Sequence, residues 1–243
     1  GETDDALWVW VPERRVLFPG DYLLWGCPNI GNPFKVQRYT VGWAQALEEM
    51  AALHPVAAGP GHGPAVVGEA EVREMLLDTA RALRHLDDEV VRRLNAGEDF
   101  ERILAEVDLP AGLKEKPYLA PIYGCSTYTV HALLREYAGW YDYNPSHLHP
   151  SPTAKVAAEV VTLAGGTEVL LNRARALAGE NPQLALHLVD YVVAGARAGT
   201  AARREALALK ADLLDARAKE MESFISYNIL TVGARLIREQ LAP

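Results

Sequence analysis

Leu7-Trp8-Val9-Trp10-Val11-Pro12, followed after Glu13-Arg14-Arg15 by Val16-Leu17-Phe18-Pro19-Gly20-Asp21, is the stretch from which the fold is read. The first run is aromatic and β-branched and stops at a proline, the pattern of a short strand buried on both faces. Three charged residues make a turn, and a second strand is expected to end at Pro19-Gly20. Turn formers crowd the loop from Gly26 to Pro33, after which Trp43, Leu47, Met50 and Ala51 recur at helical spacing. Pro55-Val56-Ala57-Ala58 then leads into Gly59-Pro60-Gly61-His62-Gly63-Pro64. Strand, strand, helix, strand predicts part of an α/β layer over residues 1–68.

Downstream the pattern becomes helical. Val72, Met75, Leu76, Leu83, Leu86, Val90 and Leu94 form one apolar stripe closed by Gly97, and shorter helices are expected over 99–107 and 128–137. Residues 69–150 thus read as a helical connector and the start of a further helical region, with Pro145–Pro152 as the linker. Residues 151–243 read as an all-α domain rich in Ala, Leu and Arg. Its breaks fall at Gly165-Gly166, Gly179-Glu180-Asn181-Pro182 and Gly199, and Asn181-Pro182 is a good cap and first-turn pair. The spacing resembles tetratricopeptide-like helix pairs, beside the simpler expectation of a plain bundle. His187, on an apolar face with Leu184 and Tyr191, is expected to be a core histidine.

The composition excludes several classes. The chain has 243 residues, 49% hydrophobic and 23% charged, which is ample to bury a core. The net charge is −8, with no basic stripe, which argues against a nucleic-acid partner. No run is long and apolar enough for a transmembrane helix. Two cysteines, Cys27 and Cys125, build neither a disulfide framework nor a four-thiolate zinc site. The sequence opens at Gly1, almost directly in a strand and with no signal peptide in view, so it is expected to be the C-terminal piece of something longer. Any targeting segment would precede Gly1, which leaves the compartment open.

Three groups stand out by position. Glu2 precedes the first strand, Asp21 follows the second and His62 follows the third. Ligands of α/β layers bind where loops leave the strand ends, and Glu, Asp and His are donors suited to zinc, manganese or iron. Each alone is more simply a turn or loop residue.

Together these segments resemble the metallo-β-lactamase superfamily, and within it the alkyl sulfatase branch. The resemblance rests on Gly1-Glu2-Thr3-Asp4-Asp5, Leu17-Phe18-Pro19-Gly20-Asp21, Pro28-Asn29 and Pro60-Gly61-His62. Tyr123-Gly124 and the block Gly139-Trp140-Tyr141-Asp142-Tyr143-Asn144-Pro145 extend it into that branch's dimerisation region. It implies part of an αββα layer followed by a helical dimerisation domain, and a homodimer. It also implies a hydrolase of small anionic sulfate esters, with two zinc ions and a bridging hydroxide as nucleophile. By position, Glu2 resembles a ligand of the first metal, Asp21 the bridging carboxylate and His62 a ligand of the second. Asn29 resembles a substrate-sulfate contact.

The sequence also departs from that pattern. The His-x-His-x-Asp-His cluster that supplies most of the family's ligands is absent, and it is expected to lie before Gly1, leaving this chain alone inactive. His147-Leu148-His149 sits in the Pro-rich linker and reads as surface. The family's sulfate-binding arginine has no counterpart in Asn32-Pro33-Phe34-Lys35, so Lys35 or Arg38 is expected to face the anion instead, and Tyr128 stands where the family has a histidine. The alternatives are a non-catalytic or truncated member acting through its helices, and a related hydrolase of another ester, a lactone or a thioester.

Overall fold

In the computed structural model, which describes residues 1–242, one sheet runs in the order β1 (Val9–Val11), β2 (Val16–Leu24), β3 (Ala57–His62), β4 (Val66–Val67). β1 pairs antiparallel with β2, β2 parallel with β3, and β3 antiparallel with β4. A parallel pair needs a crossover, and helix α1 (Thr40–Ala52) supplies it. Its stripe of Trp43, Leu47 and Met50 is fully buried, together with Leu17, Leu23 and Ile30 and with Leu76 and Leu83 of α2 (Glu69–Asn95). α2 carries Glu69 and Glu71 in its first turn and Arg92 and Arg93 in its last, matching the helix dipole at both ends. Its later part joins a second cluster with Ile103 of α3 (Phe100–Glu106), with Leu119, which follows α4 (Ala111–Lys114), and with Val130 and Leu133 of α5 (Ser126–Ala138). These elements make one compact unit, Gly1–Asn144.

Two strand readings are corrected here. The first strand is not buried on both faces: it is three residues long and lies at the sheet edge, with Leu7 71% and Val9 48% exposed. Trp8 and Trp10 pack on the core while their neighbours point outward, so the alternation of a half-buried strand was masked by apolar residues on its outer face. The second strand does not stop at Pro19-Gly20 but runs to Leu24. The pairing with β3 shifts register between Leu17 and Gly20 and again between Gly20 and Leu24, and Gly20 takes a φ of 58°. Such an irregularity absorbs a proline that lacks a ladder donor. Asp21 therefore sits inside β2, not after it.

The second unit begins at Pro145. It holds α6 (Thr153–Leu163), α7 (Thr167–Leu177), α8 (Pro182–Gly195), α9 (Ala201–Ala218) and α10 (Phe224–Leu241). Ala174, Ala185 and Ala206 are fully buried in its core with Val189 and Val192, which is why small residues recur on the facing sides. α8 meets α6 closely at Gly195, where a Cβ would lie 2.9 Å from the Ala157 carbonyl carbon. Asn181 caps α8 by accepting from the Leu184 backbone N–H at 2.9 Å. The reading of His187 is corrected: Leu184, His187 and Tyr191 are all exposed, because α8 turns its Ala185–Val189–Val192 side to the core instead. Among the described residues no helix is long and apolar enough to cross a membrane.

Candidate functional site

The first group of predicted site residues meets across two adjacent strands. Asp21 lies in β2 and His62 ends β3, and the two chains are pinned there by the Trp25 N–H donating to the His62 carbonyl at 3.2 Å. His62 Nε2 stands 3.7 Å from Asp21 Oδ1, and both side chains reach solvent. That is too long for a hydrogen bond. It suits two donors of one ion, since ligands about 2.1 Å from a tetrahedral centre lie about 3.4 Å apart. Gly61 makes room for the carboxylate: a Cβ there would fall 1.8 Å from Asp21 Oδ1 and 2.6 Å from the Gly20 carbonyl carbon. Trp25 covers the next turn and donates from Nε1 to the Pro64 carbonyl at 2.9 Å.

A second group is built around Glu2. Its Oε1 accepts from Asn29 Nδ2 at 2.9 Å, and its Oε2 accepts from Arg38 Nη2 at 2.9 Å. Arg38 Nη1 donates to the Asn29 carbonyl, closing a three-residue ring of contacts. Asn29 is 2% exposed and Arg38 4%. The loop carrying Asn29 is held on its other side, where the Cys27 N–H donates to the Ala120 carbonyl at 2.9 Å. Arg38 thus points inward, its guanidinium shared between Glu2 and the Asn29 carbonyl. Lys35 is exposed and holds to its loop through its backbone N–H, which donates to the Asn32 carbonyl at 3.1 Å.

Tyr128 belongs to a third location, a groove of about 590 Å³ walled by the Gly31–Pro33 loop, α3 and α5. Asn32 links this groove to the Glu2 group, since its Nδ2 donates to Asn29 Oδ1 at 3.3 Å. His131 and Arg135 share the groove with Tyr128. Burial lowers the His131 pKa and favours its neutral form. Gln37 ties loop to helix by donating to the Ala132 carbonyl at 3.0 Å while accepting from Arg135 Nε at 2.8 Å. The sequence reading missed Asn32, Gln37, His131 and Arg135. The signal available for the two on α5 was their spacing from Tyr128, three and seven residues, which puts all three on one helix face.

Among the described residues no three His, Cys, Asp or Glu side chains converge into one metal-holding group. Asp21 with His62 supplies one carboxylate and one imidazole, two donors at most for an ion at these strand ends. The Glu2 carboxylate is taken up by Asn29 and Arg38, each oxygen accepting one hydrogen bond. Cys27, close in sequence to Asn29, is fully buried, and burial pushes its thiol up to about 12, with Cys125 adding to the rise. Iodoacetamide at pH 8 is therefore expected to leave Cys27 unmodified in the folded protein and to label it once urea unfolds the chain. Mass spectrometry of the tryptic peptides checks this, because only the thiolate reacts.

The family described as "Alkyl sulfatase dimerisation" matches residues 100–240. A linear primary-alkylsulfatase of Pseudomonas is 30% identical over 176 residues, covering 70% of this chain and 33% of the relative. An (R)-specific secondary-alkylsulfatase of Pseudomonas is 30% identical over 179 residues, covering 73% of this chain and 26% of the relative. The solved structure of a double mutant of the sec-alkyl sulfatase PisA1 superposes with a TM-score of 0.89 at 26% identity, covering 98% of this chain and 38% of that one. The chain thus spans about a third of the length of the proteins it matches. The family match takes in the aromatic-Asp-x-Asn-Pro block, α5 and the whole run α6–α9, more than half of the sequence, and on that ground the chain belongs to the alkyl sulfatase dimerisation family.

Proposed function

We propose that this chain is part of a zinc-dependent hydrolase of alkyl or aryl sulfate esters, and that its helical unit mediates a homodimer. The observation that carries the reading is the Asp21–His62 pair, 3.7 Å apart on neighbouring strands in a chain related to alkylsulfatases. Asp21 and His62 would hold the metal. Bound there, zinc supplies a Lewis acid and lowers the pKa of a coordinated water to near 7. The residues of this chain do the rest. Gly61 keeps space for the Asp21 carboxylate, Trp25 fixes the turn behind His62, Lys35 presents a cation to an anionic ester, and buried Asn29 holds the Glu2 carboxylate in place.

Two further parts of the reading have their own support. Register puts Val9, Phe18 and Val67 on the sheet face opposite Leu17 and Ala58, and all three are exposed. An apolar sheet face of that kind suits a layer in an αββα arrangement, as in the metallo-β-lactamase fold. Phe224, Tyr227, Val232 and Leu236 leave an apolar side of α10 open, which suits association with a second copy.

The test is metal content with turnover. The protein purified without chelator is expected to carry zinc by elemental analysis, and Asp21→Ala or His62→Ala to lose most of it. In the whole hydrolase the same substitutions are expected to cut turnover of a medium-chain alkyl sulfate by at least about 100-fold, as loss of a metal-positioned nucleophile requires. Unchanged zinc and unchanged turnover in both variants would end this reading. Turnover of lactones or thioesters in place of sulfate esters would keep the metal and reassign the substrate.

A further inference from the structure

We propose that the groove between the Gly31–Pro33 loop, α3 and α5 binds an amphiphilic anion, taking the head of an alkyl sulfate at Arg135 and its chain against Phe100, Leu104 and Trp140. As a substrate subsite this rests on the sulfate-ester reading above; as a binding site it stands on the groove alone. At about 590 Å³ the groove is of a size that accepts a small organic ligand. Its walls combine those apolar side chains with Tyr128, His131 and Arg135, and no Asp or Glu is among the described residues that line it. In a chain of 32 acidic and 24 basic residues, a carboxylate-free groove that holds a guanidinium favours an anion. Trp140 is 77% exposed, an apolar surface that a bound chain would cover.

Arg135 is set for this role. Its Nε donates to Gln37 Oε1 at 2.8 Å, and among the described residues no carboxylate pairs with the guanidinium. Gln37 is itself held by the Ala132 carbonyl at 3.0 Å. One edge of the guanidinium is thus anchored, and the Nη groups keep donors for a ligand. A planar fork of that kind suits the oxygens of a sulfate. Glu136, next in sequence, meets Gln37 Nε2 at 3.4 Å and does not line the groove. Both Nη groups of Arg38, by contrast, are engaged by Glu2 and the Asn29 carbonyl.

The experiment titrates octane-1-sulfonate, a non-hydrolysable stand-in for an alkyl sulfate, into the protein in EDTA below the micellar concentration. Calorimetry gives the affinity, tryptophan fluorescence the place, and urea midpoints confirm that each variant is folded. One-to-one binding is expected, with a fluorescence change that is lost in Trp140→Phe. Octan-1-ol and inorganic sulfate, each carrying half of the ligand, are expected to bind at least about 10-fold more weakly. Arg135→Gln is expected to weaken sulfonate binding roughly 10- to 100-fold, the loss of a charge-assisted contact, and Arg135→Lys to recover part of it. Trp140→Ala is expected to weaken it about 5-fold or more. No binding at millimolar sulfonate, equal affinity for octan-1-ol, an undiminished fluorescence change in Trp140→Phe, or parent affinity in folded Arg135→Gln overturns the proposal. Should Arg135→Gln not fold, parent affinity in Trp140→Ala does so. The chelator keeps these outcomes apart from those of the metal, and Asp21→Ala is expected to bind the sulfonate like the parent. Zinc retained by both Asp21→Ala and His62→Ala, with sulfonate bound as expected, ends the hydrolase reading and leaves the binding site. Zinc lost from both, with no sulfonate bound by the parent, ends this proposal alone.

Discussion

Trp43→Ala is expected to remove about 3–5 kcal/mol of stability, the cost of emptying a fully enclosed tryptophan site. Trp43 has no solvent exposure and packs edge-on against Tyr22, ring centres 5.6 Å apart and planes at 72°. Its Nε1 donates to the Tyr22 carbonyl at 2.9 Å, so alanine leaves both a cavity and an orphaned backbone acceptor. Against a typical domain stability of about 5–15 kcal/mol this is a large fraction. Urea unfolding followed by far-ultraviolet circular dichroism measures it as a lower midpoint at unchanged slope. Trp43→Phe separates the two losses: it refills most of the volume and is expected to cost about 1–3 kcal/mol, chiefly the unpaired carbonyl. Tyr22 is the residue after Asp21, so the same contact also fixes the strand that carries the candidate ligand.

Gly61→Ala is expected to act on stability and on the site together. A Cβ at residue 61 would lie 1.8 Å from Asp21 Oδ1 and 2.6 Å from the Gly20 carbonyl carbon. The carboxylate can rotate away, but backbone cannot, so β2 and β3 must part where they carry Asp21 and His62. Overpacking of that kind costs about 1–3 kcal/mol, and more where backbone has to move. Zinc affinity is expected to fall at least about 10-fold, because neither donor keeps its place. A chelator-competition titration on folded protein and a urea midpoint read the two effects separately. Wild-type zinc affinity in a folded Gly61→Ala variant would show that the close approach of Gly61 to Asp21 does not shape the metal site.

Most of the helical content was legible because its signals are local. The apolar stripe of α2, the break at Gly97 and the Asn181 cap all follow from spacing of three or four residues and from turn chemistry. Those features were read without knowing what each helix touches. The same periodicity did not say which apolar side of α8 faces inward. Leu184, His187 and Tyr191 form as regular a row as Ala185, Val189 and Val192, and only the packing of α6, α7 and α9 around the second row decides between them.

The candidate site divides in the same way. By itself the sequence determined the donor types and their order along the chain: a carboxylate at 2, a carboxylate at 21, an amide at 29 and an imidazole at 62, with glycines next to the strands. Tertiary structure decided where they stand. The register shift that carries β2 past Pro19-Gly20 depends on pairing with β3, some 40 positions further on, and it moves Asp21 from a loop into the sheet. The fate of Arg38 is likewise non-local. Lys35 and Arg38 are both cations on one loop, and nothing in their neighbours distinguishes them. Only the approach of residues 1–7 to that loop places a carboxylate within 2.9 Å of one guanidinium and leaves the ammonium in water. Burying a charge requires a partner brought in from elsewhere in the chain, and that partner is a property of the fold.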